Sequence, residues 1–390
     1  MKTIEQMLTE KHKKNMIKNF VEMVKIDSES FEEKEMVAWA EKTFKKLGCK
    51  VMVDNAGKGT KSNAKGNVIA KFPGTVKSKP MLLSCHLDTV VPGKGIKPTV
   101  KKDRIVADGT TILGADCKGG IAIIMEILLM LKENKGLKYP PLEILLTIAE
   151  EAGMYGAKNL NKKDIQATEG MILDSTYCDT VSIKAPSSFE FDIKITGVAA
   201  HAGVCPENGI SAIEVAAKAI GMMNLGRIDK ETTSNIGVIN GGKAINIVTP
   251  ELMIKGEARS HNAAKLKKQA KHMEDCFKKA VVQSAKKVDG KKIIAKLDFK
   301  KDMKYPDMKI PATANIVKTI VKSGKQVGIT VKPYTGGGGC DGNVLSHKGI
   351  LTPNLGFGEM NAHTVKAYLD FKHWYGATKI AFQTVLNYRK

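Results

Sequence analysis

Met81-Leu82-Leu83-Ser84-Cys85-His86-Leu87-Asp88 is an apolar run that ends on an imidazole and an acid. Three further stretches end in the same way. Glu150-Glu151 follow Leu142 through Ala149, Asp174 follows Gly170-Met171-Ile172-Leu173, and His363 comes shortly after Leu351 through Phe357. Asp116 stands in Gly114-Ala115-Asp116-Cys117-Lys118-Gly119-Gly120, which reads as a strand-to-helix turn. In an open α/β sheet, ligands gather in the crevice beyond the carboxyl ends of the strands. Oxygen and imidazole donors converging there suit Zn²⁺ or a similar divalent ion. The five candidates His86, Asp116, Glu151, Asp174 and His363 imply a metallohydrolase site for two ions.

The chain has 390 residues, enough for two domains of ~100–200 residues each. From Met81 to Asp174 strands alternate with a long apolar helix, Lys118 to Asn134, the pattern of a mostly parallel sheet with flanking helices. After about Val181 the character changes. Phe189-Glu190-Phe191-Asp192-Ile193-Lys194-Ile195 alternates as a half-exposed strand does. An Ala-rich helix, further strands and a Lys-rich helix follow, and a glycine-rich loop and a last strand come before His363. The expectation is an α/β catalytic domain over residues 1–183 and 304–390, interrupted by an inserted α+β lid domain over 184–303.

Composition excludes several classes. Met1 to Lys18 is too charged for the core of a signal peptide. The apolar run Ile121 to Leu131 is broken by Glu126 and falls short of the ~20 residues a membrane span needs, so no membrane is expected. Seven cysteines without a C-x-x-C pair argue against a disulfide framework, and a reducing cytoplasm is the expected home. The formal charge is +22, yet the densest lysines, Lys265 to Lys292, alternate with Leu266, Ala270, Met273, Phe277, Ala280, Ser284 and Val288 at helical spacing. That is a surface helix with a solvated basic face. Aromatics make up only 5% of the chain, too few for base-stacking platforms, so no nucleic acid is expected.

Spacing sharpens the candidates. Asp88, two residues after His86, can receive the other imidazole N–H and fix the ring's tautomer. Asp116 can cap a helix or, with two oxygens, bridge two cations. Adjacent Glu150 and Glu151 after a buried strand repel each other unless a cation or proton compensates. A metal settles both: Glu151 binds it, and Glu150 takes a proton from the attacking water.

Ser84-Cys85-His86-Leu87-Asp88-Thr89-Val90, Leu113-Gly114-Ala115-Asp116 and Glu150-Glu151-Ala152-Gly153 resemble the peptidase T-like branch of the aminoacylase/carboxypeptidase family of co-catalytic dizinc metallopeptidases. So do Ala200-His201-Ala202-Gly203 with Gly209-Ile210-Ser211-Ala212, Gly256 through His261, and Gly336-Gly337-Gly338. The resemblance implies a zinc-exopeptidase-like catalytic domain that cleaves short peptides as an aminopeptidase. It makes Asp116 the bridging ligand, with His86 and Asp174 completing one metal site and Glu151 and His363 the other. Glu150 becomes the general base and Asp88 the orienting acid. His201 on the lid would polarise the scissile carbonyl, often across a dimer interface in this family, which implies a homodimer through the lid. Arg259, Asn246 and the Gly336, Gly337 and Gly338 backbone match positions that hold a substrate carboxylate. The implied cofactors are two divalent ions, Zn²⁺ first, with Mn²⁺ or Co²⁺ as substitutes. Cys117 departs from the pattern, since many relatives carry Asp there.

Two other readings use the same residues. An N-acyl-amino-acid deacylase or carboxypeptidase shares the site and differs in what the lid and Arg259 recognise. A non-catalytic metal- or peptide-binding scaffold would be favoured by loss of Glu150 or a ligand, and none is missing. A nucleotide site at Gly336–Gly339 is disfavoured because no Lys-Ser/Thr follows the glycines.

Overall fold

The computed structural model describes residues 4–389. Contacts group it into two units, Met1–Ala185 with Met308–Lys390, and Pro186–Asp307. The chain crosses between them at 185/186 and 307/308, against 183/184 and 303/304 expected, because Thr180–Ala185 belongs to the first unit's sheet and Lys296–Tyr305 to the second's.

The first unit is built on a nine-stranded sheet. At its centre Leu142–Thr147, Met81–His86, Gly170–Ser175 and Asn354–Gly356 lie side by side and pair in parallel. Met81–His86 and Leu142–Thr147 are buried at every position, as strands covered on both faces are. The one acid within them, Glu143, meets Lys71 at 3.0 Å and accepts from the Gln166 and Ala167 amides. Toward the edges pairing reverses. Val68–Phe72 is antiparallel to Leu142–Thr147, and Thr180–Ala185 to Asn354–Gly356. The α/β class stands, and the sheet is mixed, parallel at its centre and again where Lys332–Thr335 pairs with Thr180–Ala185. Alternation and burial mark a strand without marking its direction, which is why "mostly parallel" overstated it.

The helix Ala115–Glu133 packs on this centre, with regular helical geometry beginning only after Asp116 and Cys117. Two glycines permit the approach. A Cβ at Gly120 would lie 2.3 Å from the Leu173 carbonyl oxygen, and one at Gly119 would lie 2.5 Å from the Phe357 ring. The helix start is thereby drawn down against the strand that carries Asp174. Glu126 on the same helix is fully buried and contacts His12 Nδ1, which explains an acid inside the apolar run.

The second unit has a five-stranded sheet in which Thr232–Gly241, Glu251–Ser260, Ser187–Thr196 and Lys296–Tyr305 are antiparallel neighbours. Phe189, Phe191, Ile193 and Ile195 point into its core, and Glu190 and Asp192 point out. The Lys-rich helix is Ala263–Gln283, and Leu266, Ala270, Met273, Phe277 and Ala280 form its buried stripe. Val288, expected to extend that stripe, instead lies in a hairpin of Lys286–Val288 and Lys291–Ile293. The helix ends where Ser284 caps it and turns the chain. Among the described residues no helix is long and apolar enough to cross a membrane.

Gly120→Ala tests the close packing of helix on sheet. The added methyl meets backbone, which cannot swing aside, so the variant is expected to lose about 1–3 kcal/mol, an overpacking cost. The check is the urea midpoint at unchanged m-value. An unchanged midpoint would show that helix and strand can separate freely.

Candidate metal centre

His86 is the last residue of Met81–His86, and its ring is almost wholly buried. Nδ1 lies 2.9 Å from the Asp88 backbone oxygen. A carbonyl oxygen only accepts, so Nδ1 carries a hydrogen and Nε2 is the nitrogen turned to the site. This differs from expectation: the orienting group is Asp88's backbone, and its carboxylate Oδ1 is farther away at 3.4 Å. That carboxylate has other work. It accepts the Glu150 amide at 2.9 Å, the Glu151 amide at 3.1 Å and the Ser30 hydroxyl at 2.7 Å. Asp88 thus anchors the turn on which the paired glutamates sit. The turn needs anchoring, because Ala149 just before it takes φ +48°, in the left-handed region that costs a residue with a Cβ.

Asp116 lies at the centre. Its Oδ1 is 2.8 Å from His86 Nε2, and its Oδ2 is 3.3 Å from His363 Nε2. Asp174 Oδ1 is 3.6 Å from His86 Nε2, and Glu151 Oε1 is 3.0 Å from His363 Nε2. Two donor clusters result, each within 4.8 Å: His86, Asp116, Cys117 and Asp174, and Asp116, Glu151 and His363. Asp116 belongs to both. Asp174 is held in place by Asn354, which accepts its amide at 3.0 Å and donates to its carbonyl at 2.7 Å. His363 sits at φ +61°, a second left-handed position at the site.

The electrostatics call for cations. Burial and the surrounding carboxylates push Glu150 and Asp174 well above the ordinary carboxyl range. Burial opposes charge on His86, yet the carboxylates of Asp116, Asp174 and Asp88, as acceptors for its ring, raise the imidazole well above the usual value. Hydrogen bonds that His363 donates to Asp116 and Glu151 raise its imidazole to about 11. Mixed oxygen and imidazole donors sharing one carboxylate fit two divalent ions.

Cys117 donates its thiol hydrogen to the Leu173 oxygen at 2.8 Å and is fully buried. Two acids at the site escaped the sequence reading. Asp341, at the start of a short helix after the glycine loop, is buried, and its Oδ2 accepts from Thr147 Oγ1 at 2.5 Å. Burial raises it to about 6. Glu359 is buried in a two-residue strand just before His363. Asp341 looks like a helix cap and Glu359 like a loop acid, so neither carries a motif signal.

The glycine loop behaves unevenly. Gly336 donates its amide to Lys184 O at 2.7 Å, and a Cβ there would meet Ser182 Oγ at 2.8 Å. Gly337 and Gly338 are exposed and face open space.

The remaining expected residues lie in the second unit. His201 and Asn246 come together there: His201 bridges Ile247, and the Ala202 amide donates to the Asn246 carbonyl at 2.9 Å. Both side chains are exposed, and His201 Nδ1 accepts the Gly203 amide at 3.2 Å. Arg259 is already engaged by Glu257, Nε to Oε1 at 3.0 Å and Nη2 to Oε2 at 2.9 Å.

Comparison with known proteins adds the family. Residues 67–177, which contain His86, Asp116, Glu150, Glu151 and Asp174, match the family model "Peptidase family M28", and residues 184–285 match "Peptidase dimerisation domain". An uncharacterised protein of Bacillus subtilis, YqjE, is 38% identical over 354 residues, which cover 90% of this chain and 92% of that protein. The crystal structure of aminopeptidase PepT from Bacillus cereus superposes with a TM-score of 0.82 at 36% identity, covering 96% of this chain and 98% of that one. The chain belongs to the peptidase T-like metallopeptidases. A tripeptidase from Staphylococcus aureus is similarly close, with a TM-score of 0.87 at 34% identity over 95% of this chain and 97% of that one. The family's catalytic domain and dimerisation domain are therefore both represented in this chain.

Metal loading has a pH signature. With His363 raised to about 11, its imidazole is protonated at neutral pH in metal-free protein, and an incoming ion must displace that proton. Apparent affinity for Zn²⁺ should therefore fall as pH is lowered. Calorimetry at pH 7 in two buffers of different ionisation enthalpy should report at least about one proton released per chain on loading. No release would mean that the rings are neutral before the metal arrives.

Proposed function

We propose that the chain is a metal-dependent aminopeptidase that hydrolyses short peptides, with Zn²⁺ as its working ion. The observation that carries this reading is Asp116, whose two oxygens face two separate donor clusters. His86 and Asp174 complete one site, and Glu151 and His363 the other. Ions held there supply a Lewis acid and lower the pKa of water toward ~7.

The protein's own groups do the rest. Glu150 stands beside the ligands without joining either cluster, buried and held by its amide on Asp88. It takes a proton from the attacking water and returns it to the leaving amine. Burial suits this task, because a carboxyl pushed above its ordinary range binds a proton more readily at neutral pH. The exposed His201 assists the developing oxyanion, and the segment matching the dimerisation domain supports a homodimer that brings it to a partner's site. Groups suited to a substrate carboxylate are Arg259 and Asn246 in the second unit and, in the first, the exposed Gly337 and Gly338 backbone of the glycine loop, where Gly336 already spends its amide on Lys184. Arg259 has two of its five donors on Glu257, so it offers its remaining edge. All seven cysteines are free, as suits a reducing compartment such as the cytoplasm.

Glu150→Gln keeps the shape and removes the base. It should retain both metals by elemental analysis and lose ~10²–10⁴-fold in turnover. Normal turnover would sink the assignment, and lost metal would recast Glu150 as a ligand.

Substrate ends give a second check. A free peptide should be cleaved faster than its C-amidated form by roughly 10- to 150-fold, the value of a charge-assisted contact. Rejection of the N-acetylated form is expected of an aminopeptidase. Preference for that form would point to a deacylase instead.

A further inference from the structure

Three successive backbone amides lead into and through the paired glutamates, and each donates to a carboxylate. The Glu150 and Glu151 amides go to Asp88. The Ala149 amide, one residue ahead, goes to Oε1 of Glu33 at 2.9 Å. Glu33 lies 116 residues earlier in the chain, and its side chain is wholly buried. The same Oε1 accepts the Phe31 amide at 2.9 Å, and Oε2 accepts the Ser62 hydroxyl at 2.9 Å.

A helix cap would be the ordinary role of an acid here, since Glu33 stands just ahead of the helix Lys34–Lys46. Its side chain, however, makes no capping hydrogen bond to that helix. It is engaged instead by two residues with left-handed backbones, Ala149 at φ +48° and Phe31 at φ +76°. A residue with a Cβ keeps that conformation only where its surroundings over-determine it. Around Ala149 they are Glu33 on its amide and the Tyr155 amide on its carbonyl at 3.0 Å. Without the Glu33 oxygen the buried Ala149 N–H loses its acceptor, a costly state that the turn escapes by relaxing. Glu150, the next residue, then moves. Ser30, just ahead of Glu33, donates to the Asp88 carboxylate that receives the other two amides, so one short segment braces all three.

Resting on the reading of Glu150 as the general base, we infer that Glu33 is a positioning residue for it. Glu33 belongs to neither donor cluster and acts by fixing the backbone from which the Glu150 side chain departs. Glu151 lies one residue further on, and its carboxylate is held by His363, so metal binding should survive the loss of Glu33.

The test crosses Glu33→Ala with Glu150→Gln in the metal-loaded enzyme, with trialanine as substrate. With Glu150 present, Glu33→Ala should lower kcat about 10²-fold, the scale of an ångström's misplacement. KM should stay within about threefold, and both ions should remain by elemental analysis. In the Glu150→Gln background, Glu33→Ala should cost less than about threefold more, because a base already removed cannot be misplaced.

An equal fall in both backgrounds would overturn the inference and leave Glu33 a part of the scaffold only. A lost ion would overturn it in favour of a role in placing Glu151, and so would a raised KM at unchanged kcat in favour of substrate binding. If Glu150→Gln turns over normally, the base reading itself fails, and the positioning role with it. Should Glu33→Ala not fold, Glu33→Asp keeps the charge but draws the oxygen back from the Ala149 amide, and it enters the same cycle. A fall in kcat confined to enzyme that retains Glu150 is expected. No fall, or one shared by both backgrounds, would overturn the proposal.

Discussion

Asp116 presents one oxygen to His86 and the other to His363, and this double engagement is the constraint around which the first unit is arranged. His86 ends a central strand, His363 lies in the turn between the strands Glu359–Met360 and Tyr368–Asp370, and Asp116 opens a helix. For the three to meet, the helix start must sit almost on the sheet. Gly119 and Gly120 make that contact possible, and a side chain at either would push the helix away. Packing at the start of the helix therefore helps set where Asp116 sits.

A second consequence is electrostatic. Concentrating the buried Glu150, Asp341 and Glu359 with the half-buried Asp116 and Asp174 creates a demand for positive charge. Lys118 is buried close by, but burial lowers it to about 7, and its ammonium nitrogen is spent on the Ile26 carbonyl at 2.9 Å. The imidazoles respond by gaining proton affinity. The same field that raises their basicity makes the centre an acceptor for divalent ions.

The paired glutamates show how the scaffold separates two chemically identical groups. Asp88 accepts both of their amides, which sets the turn. Glu151 then reaches His363 and the second donor cluster, while Glu150 stays outside both clusters, more deeply buried. Role follows from placement, since the side chains are the same.

Much of this was readable in the chain. Each donor candidate closes an apolar run or opens a helix, and strand ends meet on one edge of a parallel sheet centre, so their gathering follows from pattern alone. The second unit's leading strand was legible because Phe189 through Ile195 alternates with period two, and the buried stripe of the lysine helix because it repeats at helical spacing. Other features depended on the folded chain. Strand direction at the sheet edges, the extension of the lysine stripe to Val288 and the true hydrogen-bond partner of His86 are set by contacts between distant segments. So are Asp341 and Glu359, which are ordinary acids in sequence and become significant only through burial beside other charges. Periodicity determines which face of an element is buried. Only the tertiary structure decides which charges are buried together, because that depends on neighbours far away in sequence.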